Sequence, residues 1–417
     1  MSAALRRRNA LCLLFLLPGL GISSWVTRTP DIRDLLGAST AQMGLILFGL
    51  SVGSMVGILG SGPLVARWGT RRAILLGVLL LTTGITVVGL GAAVGNSVLV
   101  AGGLALFGLG MGGAEVALNV DGAEVERLLD RSVMPAMHGF FSLGTVIGAV
   151  CGMLLTGARF PVTAHLLVVS GLMVLGLALA LGGLPAAFGR REVRGSAAAN
   201  SSAAATGTEP RISVWRDRRI LLLGCVILAL AMAEGTANDW LPLVMVDGHG
   251  LAAAWGSGVY AVFAAAMTVG RFGGGRFVNR YGRAAVLRTS ALVGAVGIAG
   301  VVFIDQGGAA TGAVVLWGLG ASLGFPVAIS AAGADAPDAE QSAARVSFAA
   351  TIGYVAFLVG PPVLGLLGEN LGLRPALILV LVLVALASLF ASSARPPAMP
   401  SAAVPAVQDT AAAPLRR

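Results

Sequence analysis

The sequence predicts an all-α integral membrane protein, with twelve transmembrane helices in two pseudo-symmetric six-helix halves. Three observations carry this. Of 417 residues, 56% are hydrophobic and 11% charged, where a soluble domain has roughly 25% charged residues. With a mean hydropathy of +0.88, the chain has too little polar side chain to cover a globule in water, so lipid must solvate most of its exterior. Cutting at the arginine, proline and acidic clusters leaves twelve apolar runs of the length that crosses a hydrocarbon core, about 20 residues. The second half then repeats the glycine and arginine spacing of the first.

The runs lie near 9–27, 40–65, 73–94, 98–121, 135–158, 163–184, 219–247, 255–278, 285–304, 310–332, 345–368 and 374–395. The opening MSAALRRRNALCLLFLLPGLGISS is charged and then apolar, like a signal peptide. Its apolar run continues to Val26 without a small-x-small cleavage site, so it is expected to remain as span one. Residues 1–184 form the N-terminal half. The 185–218 loop contains GSAAANSSAAATGT from Gly195 to Thr208, a linker composition. Residues 219–395 form the C-terminal half and 396–417 a tail.

At a constant offset of 213, Gly57, Gly60, Gly62, Arg67 and Gly69 fall on Gly270, Gly273, Gly275, Arg280 and Gly282. LFGLG at 106–110 recurs as LWGLG at 316–320, offset by 210. Duplicated halves are the plan of transporters that rock about a substrate held between them.

All 28 basic residues are arginines. With a cytoplasmic N-terminus, Arg28, Arg33, Arg159 and Arg374 are the four outside and the other 24 lie on the cytoplasmic side, a strong positive-inside bias. The net charge of +9 is thus topological and does not point to nucleic acid. Both termini and the central loop are expected in the cytoplasm, at a bacterial inner membrane.

Cys12, Cys151 and Cys225 sit in apolar stretches and read as small packing residues. His138, His165 and His249 lack ligand spacing, so neither a metal nor a cofactor is expected. No phosphate-binding loop is present to use ATP. No nucleophile, dyad or metal cluster suggests an enzyme. The expected partners are a small-molecule substrate, protons and the lipid bilayer, and the expected state is a monomer.

A charge at the bilayer centre costs about 2.5–3.5 kcal/mol on insertion scales, so acids within spans are informative. Of 19 acidic residues, Glu115, Glu234 and Asp239 fall well inside and are the proton-coupling candidates. Glu115 and Asn119 are four apart and project from one helical face. AEGTANDW gives span seven a second polar stripe, Glu234, Asn238 and Asp239, next to Trp240. His138 opens span five. Asn119, His138, Asn238 and Trp240, with Trp25 and Arg28 at the end of span one, are the candidate substrate contacts.

The turns GPLVARWGTRR at 62–72 and GRFVNRYGR at 275–283 resemble the loop 2/3 signature of the major facilitator superfamily, and with twelve spans and a central loop the resemblance covers essentially the whole chain. It implies a gating role for Gly62, Arg67, Gly69, Arg71, Gly275, Arg280, Gly282 and Arg283. The glycines allow close helix approach and tight reversal, and the arginines can reach helix ends or acids across the half interface. Ala66 and Asn279 replace the signature's acid, so the latch it supplies is either weaker here or provided by Asp121, Glu124, Glu126 or Asp130 in the adjacent turn.

EVALN at 115–119 and SLG at 142–144 resemble stretches of the fucose-permease branch, which implies proton coupling at Glu115; Val26 and Arg28 stand where that branch has an acid. SSWVTRTPDIRDLL, AEVALNVDGAEVER, MHGFFSLGT and ANDWLPL resemble the YbjJ-type bacterial inner-membrane transporters. Drug/proton antiporters usually carry an arginine in span four, and residues 98–126 contain none. Proton-coupled symport of a small polar or anionic metabolite, by alternating access, is therefore favoured over efflux of a drug or metabolite and over a non-transporting membrane receptor. Phe325-Pro326 and Gly360-Pro361-Pro362 are expected to break spans ten and eleven, as gating bends or as packing kinks.

Overall fold

A computed structural model describes residues 3–130, 133–186, 188, 217–334 and 339–395. Twelve helices among them are long and apolar enough to cross a membrane. The N-terminal half contains spans one to six: Ala3–Val26, Thr40–Trp68, Thr70–Ala93, Ser97–Leu129, Met134–Gly157 and Val162–Leu181. The C-terminal half contains spans seven to twelve: Arg218–His249, Ala253–Tyr281, Arg283–Phe303, Gly307–Gly333, Ala339–Leu371 and Leu373–Phe390. The linker stretch 195–208 and the tail 396–417 lie outside the described residues.

One element is additional. A short helix, Thr29–Leu36, connects spans one and two, with a proline in its first turn, Asp31 near its N-terminus and Gly37 at φ 58° closing its end. These are ordinary helix start and stop signals.

The packing repeats between halves. Span four packs on spans two and three, and span one on span five. Likewise span ten packs on eight and nine, and span seven on eleven. Where spans two and four cross, a methyl group on Gly53 or Gly57 would strike the Ala105 or Leu109 carbonyl, and one on Gly108 or Gly112 would strike Leu50 or Ser54. Without a hydrophobic force between helices in lipid, such backbone approach is what holds the pair.

The repeated turn is also the same in conformation. Gly69 adopts φ 84°, ψ 164° and Gly282 φ 79°, ψ 162°, a region that only glycine enters without strain. The expectation of close approach fails at Gly62 and Gly275, where a Cβ would meet nothing within 4 Å. Gly57 and Gly270, deeper in the same helices, are the crowded positions.

The prolines do not interrupt their spans. Helices ten and eleven run through Pro326, Pro361 and Pro362. Pro361 lacks the N–H that would bond the Phe357 carbonyl, and Ser51 Oγ of the other half donates to that carbonyl at 2.8 Å instead. A neighbouring helix thus satisfies the freed group, as the bilayer requires.

The halves meet along spans two and eleven and along spans five and eight. On the face away from the arginine clusters they are sealed. Gly44 packs on Pro361 and Gly365, and Glu369 accepts the Ala41 N–H at 3.1 Å. Ser257 Oγ donates to the Thr27 carbonyl at 2.5 Å, and Arg33 of the connecting helix pairs with Asp247 of span seven.

Candidate functional site: a charged cleft between the halves

Span four turns Glu115 and Asn119 toward the other half. Glu115 is exposed although it lies within a span, Asn119 is half-buried, and His138 of span five is exposed. The Asn119 amide oxygen and His138 Nε2 are 3.1 Å apart, and the imidazole lies 5.0 Å from the Phe15 ring. An exposed carboxylate at this depth is tolerated where water enters between the halves.

The opposite wall comes from spans seven and eight. Glu234, halfway along its 32-residue helix, accepts a hydrogen bond from Arg271 Nη2 at 2.8 Å. The Arg271 side chain remains 32% exposed and that of Glu234 14%. Both act electrostatically on Glu115, Arg271 also acts on His138, and Glu115 acts on Tyr354 of span eleven. Glu234 pairs with this guanidinium, and Glu115 of the other half lies within electrostatic reach of it; its five-donor fork is well suited to anionic or polar groups.

Arg271 is a candidate site residue that the sequence analysis does not single out. It lies inside the apolar run at 255–278, although the topological division counts it among the 24 arginines of one membrane side. Its position within the run was the available signal.

The polar stripe of span seven is divided. Glu234 faces the cleft and Asn238 accepts from the Tyr260 hydroxyl at 3.2 Å. Asp239, 7% exposed, and Trp240, 1% exposed, are packed within the C-terminal half. Trp25 is likewise buried. Arg28 is not free for a substrate: it is 1% exposed, and donates to Asp31 at 2.8 Å, the Phe160 carbonyl at 2.9 Å and His165 Nδ1 at 3.2 Å. That network anchors the connecting helix to span six.

At the repeated turns, Arg67 is exposed with no hydrogen-bond partner among the described residues, and Arg280 lies over the Tyr281 ring at 5.4 Å. Arg71 and Arg283 are half-buried. The nearby acids are used elsewhere. Asp121 accepts from Arg7 Nε at 2.5 Å and from Thr70 Oγ1 at 2.6 Å. Glu124 pairs with Arg127 at 2.6 Å, Glu126 accepts the Val133 and Met134 N–H groups, and Asp130 ends span four. Exposed charges contribute about 1 kcal/mol or less. Arg67→Ala and Arg280→Ala are accordingly expected to slow the conformational step by about fivefold at most, leaving ligand affinity unchanged. Equilibrium binding and single-turnover transport measured on the same protein check this, and a large loss of affinity would move these arginines into the substrate path.

Two duplicated helical halves that place charged side chains along their shared interface are the plan of a membrane transporter. The chain belongs to the major facilitator superfamily, whose family model matches residues 11–344; its members are transporters and not enzymes. An uncharacterized MFS-type transporter of Yersinia pestis is 31% identical over 359 residues, 86% of this chain and 88% of that protein. The membrane protein MosC of Rhizobium meliloti is 23% identical over 387 residues, 92% of this chain and 89% of that one. Among solved structures, a D-xylose–proton symporter superposes with a TM-score of 0.78 at 14% identity, covering 95% of this chain and 98% of that one. The nucleoside transporter NupG does so with a TM-score of 0.69 at 15% identity, over 94% and 98%. At these identities the structural likeness concerns the fold.

Proposed function

We propose that this transporter carries a small polar or anionic metabolite across a bacterial inner membrane by proton-coupled symport. The observation that carries the reading is Glu115, a carboxylate within a span, exposed to the cleft and faced by the Arg271–Glu234 pair of the other half. While water reaches Glu115 it can exchange a proton. When the halves rock and the cleft closes, an enclosed carboxylate is far cheaper neutral than charged, so closure favours the protonated carrier. Asn119, His138, Asn238 and Arg271 supply polar contacts for the solute. The fold is shared with a D-xylose–proton symporter and a nucleoside transporter, and small polar solutes fit the same cleft chemistry.

The arginine distribution supports cytoplasmic termini. The sealed face is then periplasmic and the structure inward-facing. A reporter fused after Arg417 is expected to be active in the cytoplasm, and activity confined to the periplasm would overturn the orientation.

The coupling test begins with a thermal-shift screen of metabolites at two pH values, which finds a ligand by its stabilisation of the folded protein. That ligand, supplied as a gradient to lightly buffered proteoliposomes, should draw protons in the same direction. Substrate movement with no pH change would refute symport, and proton movement in the opposite direction would establish export by antiport.

A further inference from the structure

The turn between spans eight and nine borders a cavity of about 610 Å³, closed on its other side by the chain at the end of span twelve. Among the described residues its lining includes Arg283, Arg288 and Arg395 and no acidic side chain. Arg288 Nε donates to the Ser388 carbonyl at 3.3 Å. The side chains of Arg283 and Arg395 have no hydrogen-bond or ion-pair partner among the described residues. The backbone is unspent as well: span nine begins without a side-chain cap, and its first intrahelical donor is Val286, bonded to the Gly282 carbonyl. The N–H groups of Arg283, Ala284 and Ala285 have no acceptor among the described residues and add to the positive field of the arginines.

The N-terminal half shows what normally closes this position. At an offset of 213, Thr70 stands where Arg283 stands. The Thr70 N–H donates to the Phe188 carbonyl at 2.9 Å and its hydroxyl to Asp121 at 2.6 Å. Arg7 pairs with Asp121 and lies 4.3 Å over the Phe188 ring. That turn is thus filled by an acceptor and an anion from the chain itself. In the C-terminal half the cation is kept: Arg219, at the start of span seven, donates to the Ser393 carbonyl at 2.8 Å. Among the described residues no anion takes the place of Asp121: its counterpart at the span-ten offset of 210 is the buried Ala331.

We propose that this cavity binds the phosphate of an anionic phospholipid headgroup from the adjoining leaflet, which supplies the negative charge that Asp121 supplies in the other half. Guanidinium forks match phosphate oxygens, and basic pockets between transmembrane helices on one leaflet suit such headgroups. A lipid source is favoured over a soluble anion by the surroundings. Tyr281 lines the cavity and stacks on Phe277 at 6.4 Å; each is 57% exposed, as aromatic side chains are at the membrane–water boundary. Val278, Ala284 and Ala285 add an apolar wall for the glycerol end of the lipid.

The test uses the full-length protein, delipidated in detergent and titrated with phosphatidylglycerol or phosphatidylcholine of the same chain length, with bound lipid counted by native mass spectrometry. One phosphatidylglycerol per chain is expected to bind at least tenfold more tightly than phosphatidylcholine. Arg283→Ala and Arg395→Ala should each weaken it about fivefold, as expected for one basic residue near a membrane surface, whereas Arg72→Ala in the other half should leave it unchanged. Equal retention of the two lipids, or wild-type binding by the Arg283→Ala/Arg395→Ala protein, would overturn the site. Inorganic phosphate that stabilises the protein as much as phosphatidylglycerol would overturn the lipid assignment. Binding seen only after deletion of residues 396–417 would overturn it too, by showing that the tail holds the cavity.

Discussion

In proteoliposomes, Glu115→Gln protein is expected to exchange substrate across the membrane at close to the wild-type rate while failing to accumulate it against a gradient. Glutamine keeps the size and hydrogen-bonding capacity of the protonated acid but has no proton to release, so it fixes the carrier in its neutral form. One pH unit is worth about 1.4 kcal/mol per proton, or about tenfold accumulation for a one-proton symporter. With a gradient of two units the wild type should approach roughly a hundredfold on the same conversion, and the variant should stop at equality. Glu234→Gln should behave differently. It removes the partner of Arg271 at 2.8 Å and leaves a guanidinium unpaired in the cleft, so exchange and uptake should fall together. Unchanged proton-driven uptake by Glu115→Gln, with the wild-type pH profile, would leave Glu115 as a packing or substrate-contact residue.

The twelve spans were legible because bilayer thickness sets a minimum apolar length, which a single helix must satisfy alone. The Gly69 and Gly282 turns were legible for a related reason: a backbone conformation that only glycine enters freely marks the sequence wherever it recurs. The direction in which a helix turns its polar residues was not legible. AEGTANDW reads as one stripe, yet packing against span eight sends Glu234 to Arg271 and Asn238 to Tyr260, and Asp239 and Trp240 are buried elsewhere in that half. That division depends on neighbours distant in sequence. Arg28 was misread for the same reason, since its partners Phe160 and His165 belong to a segment more than a hundred residues away. The prolines show a further limit. Whether Pro361 breaks a span depends on Ser51, a residue of the other half that satisfies the freed carbonyl.

The largest stability effect is expected at Asp121. Its side chain is fully buried and accepts from Arg7, which is 9% exposed, and from Thr70 at the start of span three. One Arg7 guanidinium nitrogen is already buried without a partner, so the carboxylate and the Phe188 ring face are the compensation this cation has. Removing one partner of a buried ion pair costs about 3–5 kcal/mol, because the other charge is left uncompensated. Asp121→Ala should therefore lower the stability of the N-terminal half by about that amount, seen as a fall in thermal midpoint of the purified transporter. Thr70→Val, which removes one hydrogen bond to a charged group, should cost about 1.5–3 kcal/mol. The decisive comparison is Arg7→Met/Asp121→Val, in which both charges are replaced by apolar groups closer to them in size and no buried charge is left unpaired. That protein should recover most of the loss, because such replacement is often neutral or stabilising. If it is as unstable as Asp121→Ala, the cluster holds spans one, three and four together through its geometry, and charge compensation is not its main contribution.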